Sequence, residues 1–339
     1  MLFIDGDMGE GGGQVLRSAL ALSVCRQIPF QLHNIRARRE KPGLQPQHLA
    51  AVRAAAQISR ATVEGADIGS QSLRFLPNGI YPGNYQINIG TAGSATLLVQ
   101  TLLPALMLAK TPSSLRVEGG THNPLSPPFD FFAYAFCPLL TRMGMRLSTT
   151  LERPGFFPKG GGIMHVAIQA ADQLQALHLL ERGEVQQLSA QILLAHLPMH
   201  IAQRESKVLC QALRIAAADI RIRQEDSAFG AGNVVSVAAN SEHVTEVFTG
   251  FGQRGIPAES VAQGVVAQVN DYLLAGVPVG RYLADQLLIP LALVNGGEFL
   301  TQEPSLHTNT NMDVITLFTG KRFTSETTAT RQWRIAIGA

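Results

Sequence analysis

The chain has 339 residues, enough for one large domain or two domains of ordinary size. Hydrophobic residues make up 46% of it and charged residues 15%, a globular composition that excludes an intrinsically disordered chain. With 27 Lys and Arg against 25 Asp and Glu, the formal net charge of +2 excludes a protein that coats a polyanion along its length. Any contact with nucleic acid should therefore be local and involve a few phosphates.

The cysteines and the apolar stretches bear on the cellular compartment. The first ten positions carry three acidic residues, unlike a signal peptide, and the most apolar stretch, residues 97–109, is too short to span a bilayer. The odd number and wide spacing of the cysteines fit neither a disulfide framework nor a zinc site. We therefore expect a cytoplasmic protein that makes no contact with membranes. The three cysteines are Cys25, Cys137 and Cys210.

Three segments of the chain show the same order of predicted strands, turns and helices, which indicates an internal repeat. Each has a short apolar strand, a turn, a helix rich in Leu and Ala, a second strand, a polar loop, a second helix and two closing strands. The first two copies span about residues 1–80 and 81–165, and the third begins near Leu177. The first helices of the three copies are predicted at 11–24, 92–109 and 283–294.

The predicted fold is therefore α/β (α+β), with three β-α-β-α-β-β repeats forming a large domain and a smaller inserted α/β domain. Residues 1–183 plus 277–339 form the large domain, and residues 184–276 form the insert, which has strands and helices of its own. Equivalent loops of the repeats should converge near one axis. Polar residues that are scattered along the chain are then expected to meet in one cleft.

The first polar segment along the chain is GEGGGQ, at residues 9–14. Consecutive glycines between a strand and a helix let backbone N–H groups approach an anion, and Glu10 beside them can hold a divalent cation. A tight turn with a solvated glutamate fits the same residues. The chain contains no P-loop motif and no dinucleotide-binding glycine motif, so ATP, if it is used, is held by another kind of site.

Further candidates are a basic run, an acidic helix start and a histidine. The run RARREKPG at residues 36–43 suits phosphate oxygens, and a solvated loop explains it equally. Asp285 either begins a helix or accepts hydrogen bonds from a nucleoside. His307 lies in the predicted polar loop LHTNTN, where a neutral imidazole can attack phosphorus, although an ordinary exposed histidine fits as well. Neighbouring Asn309 and Asn311 are candidates to orient this ring or to cap the next helix.

Taken together, these segments resemble the RNA 3′-terminal phosphate cyclase family in order and over the full length. Two positions of the glycine-rich signature differ from the family pattern, at Pro154 and Met164. The core repeat also resembles that of the enolpyruvyl transferases. The matching motifs are GEGGGQVLRSAL, IRARREKPGLQPQHL, IGTAGSATLLVQTLLPAL, GGTHNP with SPP, GFFPKGGG, YLADQL and the loop of His307.

The resemblance implies an ATP-dependent ligase that converts an RNA 3′-phosphate to a 2′,3′-cyclic phosphate. His307 would be the nucleophile that carries AMP, Glu10 would bind a divalent metal such as Mg²⁺ or Mn²⁺, and an RNA with a 3′-phosphate would be the partner. No obligate protein partner is implied. The phosphate- or RNA-facing residues would be Arg17, Arg36, Arg39 and Gln47. The nucleotide pocket would comprise Gln100, Pro127, Tyr282, Leu283, Ala284, Asp285 and Gln286.

Two other classes of protein compete with this interpretation. A non-catalytic cyclase-like factor in ribosome assembly would keep the fold but lack the nucleophile, whereas this chain has His307, Glu10 and the paired Arg36 and Arg39. An enolpyruvyl transferase needs two comparable large domains, and the predicted insert is too small to be the second.

Overall fold

A computed structural model describes residues 1–171, 173–294 and 296–338. Within these ranges, strands and helices alternate along much of the chain, and the strands form four mixed sheets of four strands each. The predicted α/β class is therefore confirmed. None of the described helices is both long and apolar enough to cross a membrane.

The first segment of the chain runs through β1 (Leu2–Asp5), α1 (Gly13–Arg26), β2 (Phe30–His33), α2 (Pro46–Ser59), β3 (Thr62–Glu64) and β4 (Leu73–Leu76). Its sheet has the order β1-β2-β4-β3. Strands β1 and β2 are parallel, and β4 lies antiparallel between β2 and β3. The parallel pair requires a crossover, and α1 supplies it.

The second segment contains β5 (Asn84–Asn88), α3 (Ala95–Met107), β6 (Ser113–Gly119), α4 (Phe129–Phe131), α5 (Cys137–Arg142), β7 (Arg146–Arg153) and β8 (Gly162–Gln169). One wide helical turn at Phe132–Phe136 joins α4 to α5. The sheet order is β5-β6-β8-β7. The glycine-rich residues 155–162 connect β7 to β8, so the predicted turn at this place is confirmed.

After β9 (Leu177–Leu179), the chain forms β10 (Val185–Ala195), α6 (His200–Leu213), β11 (Ile220–Gln224), β12 (Gly232–Ser241), β13 (Thr245–Phe251) and α7 (Ala258–Ala275). These four strands make a sheet of order β11-β10-β12-β13, whose apolar side chains form a hydrophobic cluster with α6 and α7. Strand β13 was not predicted from the sequence. The proposed domain boundaries at 184 and 276 stay a prediction.

The last segment continues with α8 (Arg281–Val294), β14 (Gly297–Thr301), α9 (Leu306–Thr319), β15 (Phe323–Ala329) and β16 (Gln332–Ile337). Strand β9 joins its sheet, which has the order β9-β14-β16-β15. Read from the first strand of each segment, the sheet orders of the first, second and last segments are the same: first, second, fourth, third.

The main hydrophobic cluster lies where helices of these three segments meet. Helix α1 packs against α9, α3 and α2, and α8 packs against α9 and α3. Because α1 and α9 are in contact, residues at the N-terminus of α1 and in the first turns of α9 come close together. This contact positions the site described below.

Two local predictions differ from the structure. The predicted polar loop 305–312 is largely helix, because Ser305 caps α9 by accepting a hydrogen bond from Thr308 N–H at 3.1 Å. His307 therefore lies in the first turn of a helix. The predicted strand 30–37 ends at His33, because Asn34 and Arg36 have positive φ angles that leave the extended region.

We expect Phe30→Ala to lower the free energy of unfolding by about 3–5 kcal/mol, as large core truncations do. The Phe30 side chain is fully buried and its ring contacts Phe75 and Phe318 at centroid distances of 5.7 and 6.1 Å. Thermal denaturation followed by circular dichroism measures the change. The matched control is Phe3→Ala in the neighbouring strand, where the exposed ring should leave stability within about 0.5 kcal/mol. Equal shifts for the two variants would contradict this account of the core.

Candidate functional site

The carboxylate of Glu10 lies at the centre of the site and contacts two basic side chains. Its Oε2 lies 2.7 Å from Nδ1 of His307, and its Oε1 pairs with the guanidinium of Arg39. Arg39 also donates a hydrogen bond to the backbone oxygen of Glu10 at 3.2 Å. The Glu10 side chain is largely buried, whereas that of His307 is 53% exposed. The imidazole is therefore held on one side and open to solvent on the other.

The backbone brings Glu10 and His307 together through Thr310. The hydroxyl of Thr310 accepts a hydrogen bond from Glu10 N–H at 3.0 Å and donates one to the Leu306 carbonyl at 2.7 Å. Gly9 has a φ of +55°, and a Cβ on it would lie 2.1 Å from Oγ1 of Thr310. Only glycine fits this close approach of the loop to α9.

The contact between Glu10 and Nδ1 determines which nitrogen of His307 can react. A carboxylate attracts a proton and repels a lone pair, so its position 2.7 Å from Nδ1 favours the neutral tautomer that carries the proton on Nδ1. The lone pair then lies on Nε2. This is the arrangement of an oriented nitrogen nucleophile, with the carboxylate available to stabilise positive charge on the ring.

The charges at the site shift the pKa values of both partners. The hydrogen bond to Glu10 raises the pKa of His307, and the Coulombic attraction of Glu10 and Asp285 adds to this against the effect of burial. Burial alone would raise the pKa of Glu10, but the contacts with His307 and Arg39 outweigh it and leave that pKa below its ordinary value.

A second set of polar groups meets at the start of α1. A Cβ on Gly13 would lie 2.6 Å from Nε2 of His48 and 2.9 Å from Nη1 of Arg17, so both side chains approach the helix N-terminus. Nδ1 of His48 accepts a hydrogen bond from Gln45 N–H, which leaves Nε2 as the protonated nitrogen. Burial, together with the charges of Arg17 and Arg36, lowers the pKa of His48 to about 3. This corner of the site offers donors for an anion.

Asp285 connects the site to the core. Its Oδ1 accepts a hydrogen bond from Asn311 Nδ2 at 3.0 Å, and Asn311 Oδ1 accepts one from the Ser18 hydroxyl at 2.6 Å. Burial raises the pKa of Asp285, while His307, Asn311 and Arg17 act in the opposite direction. Helices α1, α8 and α9 are thereby linked by polar side chains next to His307.

A pocket beside this network brings together several residues predicted for the site. Gln100 of α3 and Asp285 and Gln286 of α8 line it together with Gln14 and Arg17 of α1. The amide nitrogen of Gln100 is buried and finds no hydrogen-bond acceptor among the residues that the structure describes. A buried donor without a partner is costly, so a ligand atom is the expected acceptor.

The other predicted residues have different surroundings. Arg36 donates hydrogen bonds to the carbonyls of Lys41 and Gly43, so it also braces its own loop. Gln47 lies in the first turn of α2 and lines a larger cleft. The remaining four residues, Pro127, Tyr282, Leu283 and Ala284, do not line the small pocket. The carbonyl of Pro127 accepts a hydrogen bond from the Thr96 hydroxyl. Tyr282 is exposed, whereas Leu283 and Ala284 are buried in the core. The roles proposed for all these residues stay predictions.

Comparison with known proteins shows the family of the chain. The family model described as RNA 3′-terminal phosphate cyclase matches residues 8–325. The chain belongs to the RNA 3′-terminal phosphate cyclase family. A protein named RNA 3′-terminal phosphate cyclase from Koribacter versatilis (strain Ellin345) is 49% identical over 318 residues, which cover 94% of this chain and 90% of that protein. A protein of the same name from Ralstonia nicotianae (strain ATCC BAA-1114 / GMI1000) is 49% identical over 316 residues, covering 93% and 90%.

The family resemblance expected from the motifs is thus confirmed, but sequence reasoning missed two histidines of this cyclase-family chain. No role was predicted for His48 from the sequence, although its place three residues after Gln45 fits a reciprocal helix cap. His122 received no role. It is buried, with Nε2 3.3 Å from Oδ2 of Asp130 and Nδ1 2.9 Å from Oγ1 of Thr121.

We expect Glu10→Gln to lower the pKa of His307, because the amide removes both the charge and the strongest acceptor at Nδ1. In the wild type the ring should keep its proton to a higher pH than an ordinary histidine. Titration of the histidine ring signals by NMR in the nucleotide-free protein measures the difference. His48 serves as an internal reference that stays neutral, since its pKa is lowered to about 3.

The matched control is Glu40→Gln, which neutralises an exposed acid on the loop that carries Arg39. Its titration of His307 should match that of the wild type. An unchanged or raised pKa of His307 in Glu10→Gln would contradict the assignment of Glu10 as the cause.

Proposed function

We propose that this protein is an ATP-dependent RNA 3′-terminal phosphate cyclase, which converts an RNA 3′-phosphate to a 2′,3′-cyclic phosphate through a histidine–AMP and an RNA-adenylate. The observation that supports this most directly is the contact of Glu10 with Nδ1 of His307, which leaves Nε2 available as a nucleophile. The family and two relatives with this name support a cyclase, an enzyme of the ligase class.

In the first step, Nε2 of His307 attacks the α-phosphorus of ATP. The new P–N bond forms as the bond to the bridging oxygen breaks, and pyrophosphate leaves with the electron pair. Positive charge develops on the imidazole and is stabilised by the carboxylate of Glu10. The exposed side of the ring gives the nucleotide access.

In the second step, an oxygen of the RNA 3′-phosphate attacks the phosphorus of the histidine–AMP. The P–N bond breaks, the imidazole leaves as a neutral ring, and the RNA 3′-end carries AMP. The vicinal 2′-hydroxyl then attacks the 3′-phosphorus, loses its proton to solvent and expels AMP. The hydroxyl is held next to its target by the ribose, so positioning and charge stabilisation suffice for this step.

The small pocket lined by Asp285 is the proposed place of one part of the nucleotide, since its volume of about 50 Å³ cannot hold the whole molecule. The partnerless amide nitrogen of Gln100 and the carboxylate of Asp285 line it, and they offer one donor and one acceptor for the base or the ribose. Arg17, Arg36, Arg39 and Gln47 are the proposed phosphate- and RNA-facing residues. Among them, Arg17 interacts with both acids: burial lowers the pKa of its guanidinium, and the negative charges of Asp285 and Glu10 act in the opposite direction.

A divalent cation, Mg²⁺ or Mn²⁺, is proposed to enter with ATP. The described residues contain no group of three or more acidic, histidine or cysteine side chains able to hold a metal. One carboxylate with nucleotide phosphates and water is nevertheless the usual set for Mg²⁺, and Glu10 is the proposed carboxylate, whose Oε1 the cation would take over from Arg39. The cation would neutralise charge on the phosphates, and Glu10 would hold it.

An RNA with a 3′-phosphate is the proposed partner, and a cytoplasmic location stays a prediction. The competing interpretation as a non-catalytic ribosome-assembly factor gives no reason for an exposed imidazole held against a largely buried carboxylate. It predicts that no nucleotide becomes attached to the protein.

We expect His307→Asn to abolish covalent labelling of the protein by ATP that carries the label at its α-phosphate. The wild type should acquire label that is labile in acid and stable in alkali, as a phosphoramidate is. Because the His307 side chain is 53% exposed, the thermal unfolding midpoint of the variant should stay close to that of the wild type.

His243→Asn is the matched control, since His243 is an exposed histidine in the turn between β12 and β13. It should be labelled as the wild type is. Absence of label on the wild type would refute the proposed chemistry and favour the binding factor. A collapse of the melting transition in His307→Asn would instead make this histidine a structural residue.

A further inference from the structure

A large cleft opens beside the nucleotide pocket and is lined by the body and by the segment 185–275. Its volume of about 1200 Å³ exceeds the roughly 300–1,000 Å³ of ordinary small-molecule pockets. On one side lie loops of the second segment, including Asn123 and Phe157. On the other side lie α6, the end of β13 and the start of α7, including His200 and Arg254. A cleft of this size suits a chain molecule better than a single small ligand.

The charge of the cleft has one sign. None of the described residues that line it is Asp or Glu, whereas Arg204 and Arg254 do line it. Arg204 is already paired with Glu259, to which its Nε donates at 2.6 Å. Arg254 is exposed and forms no hydrogen bond or ion pair with the part of the chain that the structure describes. This cation is thus available for an anionic ligand, and no acid on the walls repels one.

The cleft also exposes a flat aromatic surface. Phe157 lines it with 72% of its surface accessible to solvent, at the connection between β7 and β8. An exposed phenylalanine in a cationic groove is the combination by which proteins hold single-stranded nucleic acid, with bases stacked on the ring and phosphates near the cations.

The cleft adjoins the small pocket of the proposed active site. Leu97 lines both the cleft and the nucleotide pocket. Gln47 lines the cleft and directly precedes His48, which approaches Arg17 and the start of α1. These lining residues place the cleft beside the elements that carry the proposed active site.

We propose that this cleft binds the single-stranded segment that precedes the 3′-end of the RNA, with a base stacked on Phe157 and a backbone phosphate at Arg254. This assignment rests on the proposed cyclase function. The terminal phosphate lies in the active site, and the preceding nucleotides run between the body and the segment 185–275. Neither Phe157 nor Arg254 takes part in the transfer of AMP.

The experiment compares two substrates, a 3′-phosphorylated RNA of about ten nucleotides and a 3′-phosphorylated dinucleotide, which is too short to fill the cleft. Phe157→Ala should raise the KM for the longer RNA by about tenfold, with little change for the dinucleotide. Labelling by ATP should be unchanged. Arg254→Gln should weaken binding of the longer RNA and reduce its salt dependence by about one phosphate contact, a slope change of roughly 0.7.

The matched controls are Phe3→Ala and Arg221→Gln, which alter an exposed phenylalanine and an exposed arginine outside the cleft lining. Both should behave as the wild type. If the wild type cyclises both RNAs and the two cleft variants keep its KM for the longer one, the cleft assignment is wrong and the cyclase function stands. If the wild type itself is neither labelled nor able to cyclise either RNA, the proposed function fails, and the cleft assignment with it.

Discussion

The carboxylate of Glu10 contacts the imidazole of His307 and the guanidinium of Arg39, and the rest of the site depends on this shared contact. It favours the tautomer of His307 whose lone pair lies on Nε2, and in the proposed reaction it supplies the negative charge for a ring bonded to phosphorus. The same residue is tied through its backbone N–H to Thr310 on α9. One glutamate thus orients the imidazole, raises its pKa and ties the loop of residues 9–12 to α9. The packing of α1 on α9 makes this contact possible.

The sequence predicts the members of this contact but not the contact itself. Strand and helix periodicity gives the α/β class, and the family motifs single out Glu10, Arg39 and His307 separately. Glu10 and its partner Thr310 are 300 residues apart in the chain, so nothing local to either one reports their distance. The strand orders of the sheets and the packing of α1 against α9 bring them together. These depend on tertiary contacts, which the pattern of one chain does not show.

The misplacement of His307 in a loop has a local physical cause. Its segment is rich in Ser, Thr and Asn, which favour turns because their side chains compete for backbone hydrogen bonds. Here the hydroxyl of Ser305 uses that capacity to cap α9, and Asn311 uses it to bind Asp285. The neutral state of His48 was equally hidden, because it depends on burial and on Arg17 and Arg36. The polar residues of 305–312 therefore indicate the correct region of the site but predict a loop where the structure has a helix.

With a formal net charge of only +2, the chain has no strong overall positive potential that would attract RNA, so the attraction must come from the local distribution of charged side chains. The acids near His307 are Glu10 and Asp285, and neither faces an incoming phosphate without a basic neighbour: Glu10 is paired with Arg39, and the charge of Arg17 acts on both. In the proposed histidine–AMP, the ring would carry the positive charge that keeps Glu10 compensated. A terminal phosphate can then approach the site without meeting a free carboxylate, which an isolated glutamate at this position would not allow.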